Sequence, residues 1–148
     1  MPQSKSIVHF YYLERGFSLS DRTRLKRFIQ GLFRRESRPL NELNYIFCSD
    51  DYLLRVNRQF LQHDYYTDIL TFDLSERGRP TSAEIYISVD RVRENAKKLG
   101  ISFKNELHRV IFHGALHLCG FRDKKEGEVR KMRELENRYL GLYFNQGV

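Results

Sequence analysis

The chain has no tryptophan, only two cysteines and only three prolines in 148 residues. Cys48 and Cys119 each sit inside an apolar stretch. Two such thiols exclude a disulfide-stapled scaffold and lack the paired spacing of a zinc finger, and they read as reduced cysteines of a cytoplasmic protein. With so little proline, and no repeat or low-complexity tract, nothing marks a linker, so residues 1–148 read as one domain. No apolar run approaches the roughly 18 residues a membrane span needs. The opening MPQSKSIVHFYY lacks the apolar core of a signal peptide, and no membrane partner is expected. Without tryptophan, eleven phenylalanines and nine tyrosines must supply the large core side chains.

Acidic residues are also in deficit. Nineteen Asp and Glu face 26 Lys and Arg, giving a net charge of +7 and an isoelectric point near 9.5. Such an excess favours an anionic partner, and nucleic acid is the commonest soluble one.

Residues Ser6 to Tyr12 are β-branched and aromatic and predict a first strand. Ser20-Asp21 offers a cap, after which Leu25, Phe28, Ile29, Leu32 and Phe33 recur with helical period. Arg22, Arg24, Lys26, Arg27, Arg34 and Arg35 occupy the other positions of that helix, a solvated face that could also meet phosphates. Leu43 to Cys48 reads as a second strand, and Asp50-Asp51 as the cap of a short helix ending near Phe60. Strands are expected at Asp68 to Leu74 and Ala83 to Val89, separated by the turn SERGRP. A helix follows from about Asp90 to Leu99 and stops at Gly100. Ser102 caps the next helix, and the last runs from about Lys125 to Leu140 with Val129, Met132, Leu135 and Tyr139 on one stripe. Strands do not alternate regularly with helices, so the class is α+β.

The chemistry lies in HGALHLCGFRD, residues 113–123. On a helix His113 and His117 project from one face, one turn apart. The surrounding residues are apolar on nearly every side, so both imidazoles need hydrogen-bond partners or a metal. Gly120 ends the helix and can turn the chain back, which lets Asp123 supply an oxygen. Zinc takes nitrogen and oxygen ligands at about 2.0–2.2 Å and in catalytic sites keeps a position open for water. A zinc protease would have glutamate directly after the first histidine as general base. Here that residue is Gly114, and Glu106 lies nearly two turns upstream. Water activated by the same metal can instead attack a phosphodiester.

HGALHLCGF resembles the H-G-x-L-H-L-x-G-[YF]-D-H signature of the YbeY family, small bacterial metal-dependent endoribonucleases. TDILTF, residues 67–72, is similar to the family's T-[DN]-V-L-S-F. AEIYIS, residues 83–88, stands at its G-[DE]-I-x-I-S strand, and Met132 and Glu136 fit its C-terminal helix. The resemblance runs from about Val56 to Glu136.

It implies one α+β domain with a mixed four-stranded sheet, about five helices and a central metal-binding helix. It further implies a single-strand-specific endoribonuclease that acts in maturing the 3′ end of 16S ribosomal RNA and in ribosome quality control. One zinc per chain is expected on His113, His117 and Asp123; Asp123 aligns with the family's third histidine and Arg122 with the aspartate before it. Arginine and lysine offer a metal no lone pair, so neither Arg122 nor Lys124 closes the set; Glu84 and His63 are the next candidates. The family's arginine in N-x-x-[YF]-R is replaced by Leu61, which leaves Arg58, one turn earlier, as the stand-in for RNA cleavage. The implied partners are ribosomal RNA and the ribosome or its small-subunit proteins. The rival readings are a zinc metalloprotease-like hydrolase and a non-catalytic, RNA-binding ribosome-assembly protein. His9, His63 and His108 read as structural, His63 being the only one of the three that could face the cleft, and Tyr65 and Tyr66 read as loop packing that could also stack on bases.

Overall fold

The computed structural model describes residues 7–63 and 65–145; Ser6, the expected start of the first strand, lies outside them. The elements run β1 (Val8–Tyr12), α1 (Arg22–Arg35), β2 (Leu40–Cys48), α2 (Asp50–Leu61), β3 (Ile69–Asp73), β4 (Thr81–Ser88), α3 (Val89–Leu99), α4 (Phe103–Leu118) and α5 (Glu126–Phe144). The sheet order is β1-β2-β4-β3. β2 is parallel to both β1 and β4, while β3 returns antiparallel along β4. This is the mixed sheet and α+β class expected.

Alternation along the strands sorts the helices onto two faces. Ala83, Ile85 and Ile87 of β4 enter the main core with residues of α1, α3, α4 and α5. Tyr86 points the other way and packs with Leu70 and Phe72 of β3 and with Leu53 and Val56 of α2. α2 thus covers one face alone, and α4 lies within the larger core on the other.

Several local expectations need correction. The cap of α2 is Ser49, whose hydroxyl accepts from the Tyr52 N–H at 3.1 Å. Asp50 and Asp51 fall in the first turn, where a carboxylate complements the helix dipole, and Asp50 pairs with Arg91 at 2.6 Å. Asp21 occupies the N-cap position of α1 with φ 53°, and its side chain caps nothing. Val129 is exposed; the buried stripe of α5 is Met132, Leu135, Glu136, Tyr139 and Tyr143, and the helix extends to Phe144. β2 begins three residues earlier than its hydrophobic run, because Leu40 pairs with Thr81 and Glu42 with Ser82.

Two contacts hold α4 onto the sheet. The fully buried Tyr45 hydroxyl of β2 donates to the Ile111 carbonyl at 2.9 Å. Gly114 lets the helix approach β3 and β4: a Cβ there would come within 2.9 Å of Ile69 Cδ1 and 3.2 Å of Ile85 Cγ2. Ile85 is fully buried, and its Cδ1 would also stand within 3.0 Å. Gly114→Ala is expected to lower stability by about 1 kcal/mol, the overpacking being partly offset by better helix propensity. Gly114→Glu, which would complete a zinc-protease motif, forces a charge between Ile69 and Ile85. It should cost more than about 4 kcal/mol; thermal melting of the two variants beside the unaltered protein checks the ranking.

Candidate metal centre and its cleft

α4 starts on a Ser102 cap, the hydroxyl accepting from the Asn105 N–H at 3.0 Å. It ends after His117 in a way that returns the chain to the histidines. The Gly120 N–H bonds the His117 carbonyl at 3.0 Å, and the Phe121 N–H bonds the Leu116 carbonyl at 3.1 Å. This is the paired C-terminal hydrogen bonding that requires a left-handed residue, and Gly120 supplies it with φ 101°. Phe121 then packs against the main core, fixing the exit direction.

The returning chain delivers Asp123. Its Oδ2 lies 3.3 Å from His113 Nε2 and 3.4 Å from His117 Nε2. The imidazole planes cross at 84° with centroids 4.7 Å apart. One ligand atom from each of the three residues falls within 4.8 Å of the others.

The donor set fits a small divalent ion, and the tautomer of His113 supports that fit. Its Nδ1 lies 2.6 Å from Glu136 Oε2. A carboxylate accepts, so Nδ1 carries the proton and the Nε2 lone pair faces Asp123 and His117. A second hydrogen bond of this kind orients a ligating histidine and raises its basicity.

Glu136 is itself fixed. Arg109 reaches its Oε1 at 3.0 Å and Arg133 at 3.2 Å. Burial would raise the Glu136 pKa, but the His113 hydrogen bond and Arg109 outweigh it and hold the carboxyl below its ordinary value. Arg109 also grips Glu106 bidentately, at 2.8 and 2.5 Å. Burial opposes the Arg109 charge, and Glu106 and Glu136 together more than restore it. Glu106 is fully buried in this network, which removes it as a stand-in for the protease base.

The centre opens into a cleft of about 750 Å³. β3 forms one wall through Ile69, Leu70, Thr71 and Asp73, and Lys124 and Leu118 stand opposite beside the metal residues. Burial raises the pKa of Asp68, against the pull of Arg109 and His113. His63 and Tyr65 line the rim as a stacked pair, centroids 5.2 Å apart, with the tyrosine hydroxyl 3.0 Å from His63 Nδ1. Tyr66 is absent from the lining and lies under Arg91, 5.1 Å from its ring centroid. Glu84 is also outside it, accepting from the Tyr86 hydroxyl at 3.3 Å. Leu61 lines the cleft, whereas Arg58 is exposed on α2 and does not. His108 is a core residue: its Nδ1–H donates to the Lys104 carbonyl at 2.7 Å and burial lowers its pKa.

Glu136 and Arg109 are the functional residues that periodicity alone did not single out. The readable sign was a carboxylate within the buried stripe Met132, Leu135, Glu136, Tyr139, since a charge there must be paired. Glu136→Gln keeps the shape and an acceptor but removes the charge that polarises His113. Metal affinity should fall about 10- to 100-fold, read by calorimetric titration of the folded variant. Asp123→Ala should abolish tight binding and Asp123→His retain it, while Arg122→Ala leaves metal content unchanged; elemental analysis after purification without chelator distinguishes them.

A sequence model of the family described as Endoribonuclease YbeY matches residues 17–143, well beyond the stretch whose motifs are readable by eye. The chain is similar to the Endoribonuclease YbeY of Cytophaga hutchinsonii, 44% identical over 135 residues that cover 91% of this chain and 94% of that relative. It is similar to the protein of the same name from Bacteroides thetaiotaomicron, 54% identical over 103 residues, 70% of this chain and 74% of that one. Its fold is similar to the solution structure of TM1509 from Thermotoga maritima, with a TM-score of 0.64 and 27% identity, covering 94% of this chain and 90% of that one. With the family match running from before α1 into the last turn of α5, and a relative covered over nearly its whole length, the chain belongs to the YbeY endoribonuclease family.

Proposed function

We propose that the protein is a zinc-dependent, single-strand-specific endoribonuclease that matures the 3′ end of 16S ribosomal RNA and serves ribosome quality control. It would act in the cytoplasm as one catalytic domain, with ribosomal RNA and the ribosome or its small-subunit proteins as partners. The observation that carries this reading is the convergence of His113 Nε2, His117 Nε2 and Asp123 Oδ2 at the mouth of an open cleft, in a chain of this family. A mixed nitrogen and oxygen set of three protein ligands is the composition of catalytic rather than structural zinc sites. Among the described residues no helix is long and apolar enough to cross a membrane.

The metal, when bound, supplies Lewis-acid polarisation of a phosphoryl oxygen and activation of water. The chain's own residues do the rest. Glu136 holds the His113 proton on Nδ1, away from the ligating nitrogen. The wall formed by β3 excludes water from one side of an extended strand, and the half-exposed Tyr65 can stack on a base at the rim. Lys124, beside Asp123, can take a neighbouring phosphate. Arg58, one turn before Leu61 on α2, would hold RNA outside the cleft rather than touch the reacting phosphate. A protease reading has no base to use, because Gly114 is packed against Ile69 and Ile85.

The test is cleavage of single-stranded RNA by the zinc-loaded protein, with a duplex RNA and an unstructured peptide as controls. Cleavage of the single strand alone, lost with chelator and in His113→Ala and His117→Ala, is the expected result, together with about one zinc per chain. Peptide cleavage without RNA cleavage overturns the enzyme class. Tight zinc binding without cleavage of any RNA favours the non-catalytic assembly role.

A further inference from the structure

The metal cleft is poor in cations for a surface that has to hold RNA. Its lining has three carboxylates, Asp68, Asp73 and Asp123, against Lys124 as the one permanently charged cation. The excess of seven positive charges lies elsewhere. α1 carries six cations and no acid in fourteen residues. Between α1 and α5 is a cavity of about 400 Å³ rimmed by Arg24, Arg27, Arg34 and Arg35 over a floor of Phe28 and Tyr139. A second cavity, toward the start of α1, shares Arg24 and Arg27 and continues the groove.

The fold does not use most of these arginines. Arg24 is committed, donating to the Tyr143 carbonyl and lying 4.0 Å from the centroid of that ring. Arg27, Arg34 and Arg35 are exposed, and among the described residues no ion pair joins them to a carboxylate. The neighbouring Glu36 accepts the Tyr139 hydroxyl. A helix C-terminus accounts for cations at Arg34 and Arg35, but not for Arg27 in mid-helix. Gly31, also in mid-helix, costs roughly 1 kcal/mol relative to alanine. No packing demands it, the nearest atom to an added Cβ being 3.8 Å away on Arg34. Its effect is to keep the wall low between the arginines.

We propose that this groove is a second RNA-binding site, an exosite for backbone phosphates remote from the metal centre. The inference rests on the RNA-cleaving reading above. β3, beside the metal cleft, is at one edge of the sheet, and α1 packs against β1 at the other edge and against the back of α4. The two cavities share no lining residue.

Arg24 to Arg34 spans about 15 Å of helix, enough to follow several phosphates of one strand. Guanidinium groups pair with phosphate bidentately, and without regard to base sequence. A stable protein partner would need apolar or aromatic anchors at the centre of its interface. None of the large exposed apolar residues of the described chain lines this groove. A polyanion is the occupant that fits.

The test compares the zinc-loaded protein with Arg27→Gln/Arg34→Gln/Arg35→Gln and with the corresponding triple lysine variant. Two probes are used: a single-stranded RNA of several tens of nucleotides and a tetranucleotide that fills only the metal cleft. The glutamine variant should bind the long RNA about tenfold more weakly at low salt, with the salt slope smaller by about 0.7 for each phosphate no longer neutralised. Its cleavage of the tetranucleotide should be unchanged. The lysine variant should keep the salt slope and most of the affinity. The single change Arg27→Gln should move affinity in the same direction by less, and it decides the matter should the triple variant melt early. Unchanged long-RNA affinity and slope, with wild-type cleavage intact, overturn the exosite alone. A glutamine variant that binds poly-glutamate more weakly while its RNA binding stays intact overturns it too, in favour of an acidic protein partner. If the unaltered protein neither binds nor cleaves RNA, the enzymatic reading falls first.

Discussion

The hydrogen bond between Glu136 and His113 Nδ1 is the constraint on which the site depends. It joins the two longest helices, α4 and α5, at the point where chemistry is possible. It also decides which imidazole nitrogen is left with a lone pair. Glu136 can stay ionised in the core because Arg109 and Arg133 face it, and the half-buried Arg109 keeps its charge because Glu106 completes its fork. Breaking one buried pair leaves an uncompensated charge and costs about 3–5 kcal/mol, whereas exchanging a whole network for apolar side chains is often neutral. A network of this kind is therefore poorly explained by stability. It is well explained as a rigid mount for a ligating ring.

The mount is useful only if α4 is fixed relative to the sheet and to the loop that follows it. Gly114 sets the helix-to-sheet distance, Tyr45 ties the helix backbone to β2, and Gly120 reverses the chain. Each acts within two turns of the histidines. Glycine at position 114 answers the oddity of the motif: where a zinc protease needs a base, this helix needs close approach to Ile69 and Ile85.

The parts legible in the sequence were those set by local periodicity and turn chemistry. The helical spacing of Leu25, Ile29 and Leu32, the Ser102 cap and the stops at Gly100 and Gly120 all stand in the structure. So does the meeting of His113, His117 and Asp123, which needs only one helical turn and one reversal. Tertiary context decided the rest. Asp50 left the cap to Ser49 because its carboxylate is held by Arg91, 41 residues away in sequence. Period alone puts Val129 on the buried stripe, but the first turns of α5 extend beyond the core. Glu136 stands out in the sequence only through the resemblance of the last helix, and its partner on another helix does not. Only proximity to Leu61 in sequence points to Arg58, and the fold keeps it outside the cleft lining.

With Asp123 beside His113 and His117, the surface must share its work in a particular way. Two neutral imidazoles and one carboxylate leave a bound divalent ion with a single net positive charge, where three imidazoles would leave two. The attraction of the centre for phosphate is weaker by that charge, and Asp68 and Asp73 along the same cleft weaken it further. Leu61, where the related motif carries arginine, adds no compensation. Electrostatic capture of a polyanion falls off over about 8 Å at physiological ionic strength, so it must come from cations that the strand itself can touch. α1 has those cations, unbroken by any acid. Arg109 and Arg133 are taken up by Glu106 and Glu136, so cations left for a strand have to come from a helix that carries no acid of its own.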